Sequence, residues 1–222
     1  MFPRSFLALV VLAPLGSMTA QMIDRTVAIV EDETITESEV VLQLRLEALA
    51  NAAEIVDTAE ERERVLDRLI DQRLIANDIR VTGLQPMSSE ERAELLARLQ
   101  GQSFGNLSFE SALTEYGVTE AQALEFFARQ IEFSRYVEFR FRTGQTVGDE
   151  ELRDAYRSKY GRTPNRDAPS LELAAPGLRI EVLNARVESL LDQHVRQLRA
   201  DHRVVRLERI DRSAITPSGG AP

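Results

Sequence analysis

The chain has 222 residues, 43% of them hydrophobic, a formal net charge of −9 and neither cysteine nor tryptophan. That is enough apolar material for a real core. The acidic balance argues against nucleic acid and anionic lipid surfaces as partners, and the lack of cysteine excludes disulfides, thiol catalysis and thiolate metal sites.

The first twenty residues read as a cleaved secretory signal. Arg4 supplies a positive charge, the run FLALVVLAPL is apolar but short, and GSMTA offers small residues before Gln21. Removing residues 1–20 takes away one positive charge and no acid, and a periplasmic location is expected for the remainder. No later stretch approaches ~18 consecutive apolar residues, so no stable membrane insertion is expected.

RTVAIV (Arg25 to Val30) is β-branched and alternating, and predicts a strand; EDE turns, and a short second strand can return. Thr36 and Glu39 have capping-box spacing, so a helix opens there and runs to about Ala53. Asp57 or Thr58 can cap the next helix. Its residues Val65, Leu66, Leu69, Ile70, Leu74, Ile75 and Ile79 form one wide apolar stripe ending at Gly83. Ser88 or Ser89 caps a helix that stops near Gly101, SFESALTEYG (Ser108 to Gly117) is a short helix, and Thr119 with Gln122 opens a long helix to about Phe141. TVGDEELRDAYRSKYG (Thr146 to Gly161) holds a further short helix.

Proline placement agrees with this order. Between Leu15 and Thr163 the only proline is Pro86, at a helix junction, whereas Gly161 to Gly177 holds Pro164, Pro169 and Pro176 and reads as a linker. A last long helix carries Ile180, Leu183, Val187, Leu190, Leu191, Val195 and Leu198, and HRVVRLERI (His202 to Ile210) predicts a final strand. The expected divisions are a signal peptide at 1–20, a helical domain at 21–160, a linker at 161–177, a helix and strand at 178–211 that pack back on the domain, and a disordered tail at 212–222.

Three segments resemble the N-terminal domain of SurA-like periplasmic chaperones, the family of the SurA, PpiD and PrsA type. They are Asp24-Arg25, Val27-Ala28, Val30, Asp32-Glu33, Ile35-Thr36 and Ser38-Glu39; then Leu69-Ile70-Asp71 with Arg73-Leu74-Ile75; then Val147, Asp149-Glu150-Glu151-Leu152 and Tyr156. The resemblance covers roughly residues 22–160 plus the last helix and strand. Two departures stand out: Glu31 where that family usually has asparagine, and Gly148 where a serine or threonine cap is usual. A third is the space of a parvulin-type isomerase domain, on the order of 90–100 residues, taken here by the short proline-bearing segment. The resemblance implies a mainly α, multi-helix SurA-N-like domain. Its small β element would be formed by the N-terminal hairpin and the C-terminal strand. It also implies an ATP-independent holdase for unfolded or partly folded exported proteins, outer-membrane proteins among them, with no cofactor; the missing parvulin-type domain, a departure from that family, leads to the expectation of no isomerase activity.

Apart from that resemblance, the residues carry no enzyme signature. There is no G-x-S-x-G, phosphate loop or H-E-x-x-H. His194 and His202 are too far apart along a helix for one metal and read as solvated; the acid-rich helix starts serve the helix dipole. The helix after Thr119 stands out. Leu124, Phe127, Ala128, Ile131 and Phe139 share one side, and Phe126, Phe133, Val137 and Phe141, flanked by Tyr136, share the other. A helix apolar on two faces either is buried by neighbours on both or leaves one open. Phe126, Phe133, Tyr136, Val137 and Phe141 are therefore the candidate client-binding residues, with a wholly buried helix as the other reading. A non-catalytic envelope adaptor, or a homodimer formed through the same faces, is the second functional expectation.

Overall fold

The computed structural model describes residues 24–161 and 168–207. The expected signal peptide, residues 162–167 of the linker and the tail lie outside these residues. The chain is mainly helical. Among the described residues seven α-helices are accompanied by a three-stranded antiparallel sheet of order β2-β1-β5 and a separate two-stranded hairpin, β3-β4.

β1 (Thr26–Val30) and β2 (Glu33–Thr36) form the N-terminal hairpin, and β5 (Val204–Arg206) pairs along the other edge of β1. Ala28, Val30 and Ile35 are fully buried, as a half-covered sheet with two-residue side-chain alternation requires. The ends of the described chain are thus joined. Ladder bonds flank the sheet, from the Leu207 N–H to the Val27 carbonyl at 2.9 Å and from the Glu31 N–H to the Arg203 carbonyl at 2.8 Å. Pairing on both edges relieves the marginal stability of an isolated hairpin.

The helices begin where their caps predict. α1 (Glu37–Asn51) starts at Thr36, α2 (Ala59–Thr82) at Thr58, α3 (Ser89–Gln100) at Ser88, α4 (Phe109–Tyr116) at Ser108 and α5 (Glu120–Val137) at Thr119. Reciprocal capping boxes form at Ser88–Glu91 and Thr119–Gln122. At Thr36 only half of one forms, because the Glu39 carboxylate is taken by Arg73 of α2. α2 ends on Gly83 and α4 on Gly117, with left-handed φ of 75° and 61°.

One element is unexpected and two local expectations change. The segment before α4 is a hairpin, β3 (Ser103–Phe104) and β4 (Leu107–Ser108), turning through Gly105-Asn106 with Gly105 at φ 62°. α5 does not stay α-helical to Phe141: Glu138–Arg142 is a π-helical turn. And the expected linker does not reach Gly177. α6 (Asp149–Tyr160) is followed by α7 (Leu171–Asp201), which includes Pro176 and Gly177. Pro176 cannot donate to the Glu172 carbonyl, but it is exposed and only six residues into a 31-residue helix. Ser170 caps that helix, and the Tyr156 hydroxyl donates to the Pro169 carbonyl at 2.7 Å, fixing its start against α6.

Two buried clusters result. One joins the sheet, α1, α2, the π-helical turn and α7, with Ile70, Leu74 and Tyr136 at 0% exposure. The other joins α1, α3, α4, α5 and the β3-β4 hairpin around Leu49, Phe104, Phe109 and Ala123. α1 and α5 contribute to both. α7 is tied to α2 by Arg199, which donates to Asp71 at 2.6 Å and Asp67 at 3.3 Å, and to α6 by Arg186–Glu151 and Lys159–Glu181.

Candidate functional site

The two apolar sides of α5 have different fates. Phe127 and Ile131 pack with the second cluster, while Phe133 and Val137 pack with the first. Tyr136 is fully buried and Phe141 is 8% exposed. Their rings meet edge to face with centroids 5.8 Å apart. These two are therefore core residues and not part of an open client-binding face. Phe141 thus stays on the Phe133, Tyr136 and Val137 side that the helical wheel gives it, although Glu138–Arg142 is π-helical. Phe139, placed by that wheel with the opposite face, is 58% exposed.

Behind the two rings lies a polar hub. The buried Tyr136 hydroxyl donates to Asp78 of α2, whose Oδ2 also lies 3.1 Å from His194 Nε2 of α7, with Arg140 Nε at 3.8 Å. His194 stacks on Phe141 with centroids 5.5 Å apart. Burial pushes the Asp78 carboxyl up, but the hydrogen bonds from Tyr136 and His194 and the charge of Arg140 outweigh it and hold the pKa below the ordinary 3.8. Burial, and then the Asp78 carboxylate, push the Tyr136 phenol up. His202 pairs with Glu31 Oε1 at 2.9 Å. Both histidines are thus engaged structural groups, not the solvated ones the sequence suggests. Among the described residues no cluster of three His, Cys, Asp or Glu side chains could hold a metal ion.

An open cleft of about 780 Å³ lies beside this hub, between α1, α2, α5 and α7. Its apolar lining comes from Ile75 and Ile79 of α2, Phe126 and Phe133 of α5, and Leu191 and Val195 of α7. Phe133 is half-buried, whereas Phe126 is only 4% exposed and offers little surface. Of the five candidates from the sequence, Phe126 and Phe133 line the cleft; Val137 packs beside it in the first cluster without lining it, and Tyr136 and Phe141 lie beneath. The volume falls within the range of sites that enclose a small ligand or a few side chains. Smaller hollows of about 470 Å³ beside Phe104 and Phe127 and about 330 Å³ beside β1 and Arg206 carry less apolar lining.

Ion pairs brace the cleft. Arg68 Nη2 meets Glu47 at 2.5 Å, Arg199 Nε meets Asp71 at 2.6 Å, and Glu132 accepts from the Met87 N–H at 2.8 Å and from Arg92 at 3.4 Å. The contributions of α2 and α7 are not evident from the sequence, where Ile75, Ile79, Leu191 and Val195 are members of ordinary core stripes. Their spacing does not set them apart, since Ile75 is buried in the first cluster and Ile79, Leu191 and Val195 also pack on it.

No protein-family model matches this chain, and no curated protein matches it in sequence.

Proposed function

We propose that the protein is an ATP-independent holdase of the SurA-like type, acting in the periplasm on unfolded or partly folded exported proteins. The single observation that carries this reading is the cleft: a preformed apolar floor from three helices, open to solvent and edged by charged side chains. Such a surface takes extended apolar segments through side-chain burial, with few directional demands. Burying one large apolar side chain is worth about 1.5–3 kcal/mol. Two or three such contacts leave weak, reversible binding after the cost of ordering the segment. Several weak contacts along one client act together, and release follows as the client folds. The acidic surface would keep the protein dispersed while the cleft stays open.

The closure of the β element by β5, with α7 packed back on α2, supports the family reading of the sequence. Glu31 adds a detail. It has φ 54°, a conformation asparagine adopts more easily than glutamate. Here its carboxylate accepts from the Arg203 N–H at 3.0 Å and from His202, so the departure from asparagine is matched by added ties to the strand.

The test is light scattering of a denatured outer-membrane protein diluted from urea, with this protein at several-fold molar excess. Suppressed aggregation is expected; unchanged scattering would remove the holdase reading. A second reading, self-association or docking on a folded partner, is favoured by Leu173 and Ile180 of α7, which are 78% and 60% exposed and seven residues apart on one helix. Sedimentation velocity distinguishes them: a concentration-dependent dimer lost in Leu173→Ser/Ile180→Ser would favour the second.

A further inference from the structure

The charged residues of the cleft are not equivalent. Four acids and four arginines line it: Glu47, Asp71, Glu132 and Asp192, with Arg68, Arg129, Arg196 and Arg199. Three of the acids are already engaged, Glu47 by Arg68, Asp71 by Arg199, and Glu132 by Arg92 and the Met87 N–H. Arg129 of α5 and Arg196 of α7 have no ion-pair or hydrogen-bond partner among the described residues, and Asp192 is the one lining acid in the same condition. The unsatisfied charge is therefore two guanidinium groups, on two different walls, against one carboxylate. Over the whole lining the four arginines balance the four acids, so the difference is one of pairing and not of net charge, in a chain whose net charge is −9.

Resting on the chaperone reading, we infer that the cleft prefers apolar segments that carry an aspartate or glutamate side chain, received by Arg129 and Arg196. Arginine pairs with carboxylates through parallel N–H donors, and its long stem lets the head reach a segment lying on the apolar floor. A charge pair at the edge of apolar surface is less screened than one on open surface. Arg129 and Arg196 are both exposed in the lining of the open cleft, so an internal side chain of a segment lying on it can meet them. A basic segment, although attracted to the protein as a whole, meets two like charges there.

The protein has no tryptophan, so a peptide containing one reports its own binding by fluorescence. The probes are two acetylated and amidated peptides of leucine, tryptophan and serine that differ only in one central residue, glutamate or glutamine. The glutamate peptide is expected to bind roughly three- to tenfold more tightly at low salt, with the preference shrinking as salt is added. Arg129→Gln/Arg196→Gln, at exposed positions, is expected to keep its thermal midpoint and bind the two peptides alike; Asp192→Asn is expected to widen the preference. Equal binding to the wild-type protein overturns the inference while leaving the holdase reading intact. A preference that survives the double substitution also overturns it. So does equally tight binding of a third peptide, the glutamine sequence with a free terminal carboxylate, which would move recognition to chain ends. If neither peptide binds and aggregation is also unaffected, the holdase reading fails as well.

Discussion

Asp78 shows how much one side chain can organise. Its carboxylate receives Tyr136 from α5 and His194 from α7, so three helices meet on one charge. Removing the phenol hydroxyl leaves that carboxylate short of a donor in a mostly buried site. Tyr136→Phe is expected to cost about 1.5–3 kcal/mol, the scale for hydrogen bonds to charged groups, seen as a lower urea midpoint with an unchanged slope. Asp78 also predicts a pH dependence. Its folded pKa is depressed, so its contribution is complete above the ordinary value of 3.8 and is lost as pH falls through the lower folded value. Between about pH 5 and pH 2 the folded protein should lose stability, because the unfolded chain binds protons first. Asp78→Asn, which keeps the shape and one acceptor, is expected to flatten that loss; identical thermal midpoints against pH for both proteins would rule out the assignment.

Among the elements, α6 is the least well begun. Gly148 stands at its N-cap with φ −72° and ψ 161°, the backbone a capping serine uses, and no side chain accepts a bond there. A Cβ at Gly148 would meet nothing within 4 Å. Gly148→Ser is therefore expected to stabilise the protein by about 0.5–1 kcal/mol, through the cap and through reduced freedom of the unfolded chain. Calorimetry showing no rise in Tm would mean α6 unfolds independently of the rest. α7 teaches the converse. Pro176 and Gly177 predict a loop, but a capped start, the Tyr156 contact and the long packed helix beyond them outweigh two poor helix formers.

In the whole molecule, the cleft exists because α7 returns across α2 and α5 and leaves a gap above the first buried cluster. This makes Phe133 and Phe141, alike in sequence terms, different in consequence. Phe141→Ser, in the core, is expected to cost about 3–5 kcal/mol and to lower Tm sharply. Phe133→Ser, half-buried on the cleft wall, is expected to cost less and to weaken suppression of aggregation while the fold is kept. Circular dichroism melts beside light scattering would separate them. Loss of fold in both, or undiminished suppression in Phe133→Ser, would remove the cleft from the mechanism.

What the sequence determined by itself was local or periodic. Thr36, Thr58, Ser88 and Thr119 each mark a helix start because a cap acts over three residues, and the apolar stripes of α2 and α7 declare which faces are buried. The resemblance added the pairing of the first hairpin with the last strand. The tertiary structure decided the rest. The β3-β4 hairpin is too short to show periodicity. Phe141 joined the side that the helical wheel assigned it, but Phe139, within the π-helical turn, is left exposed and not buried with Phe127 and Ile131. The cleft draws its walls from residues as far apart as Gln43 and Arg199. Amphipathic spacing says that a side chain leaves water; it does not say whether the neighbour that covers it is a helix or an empty space.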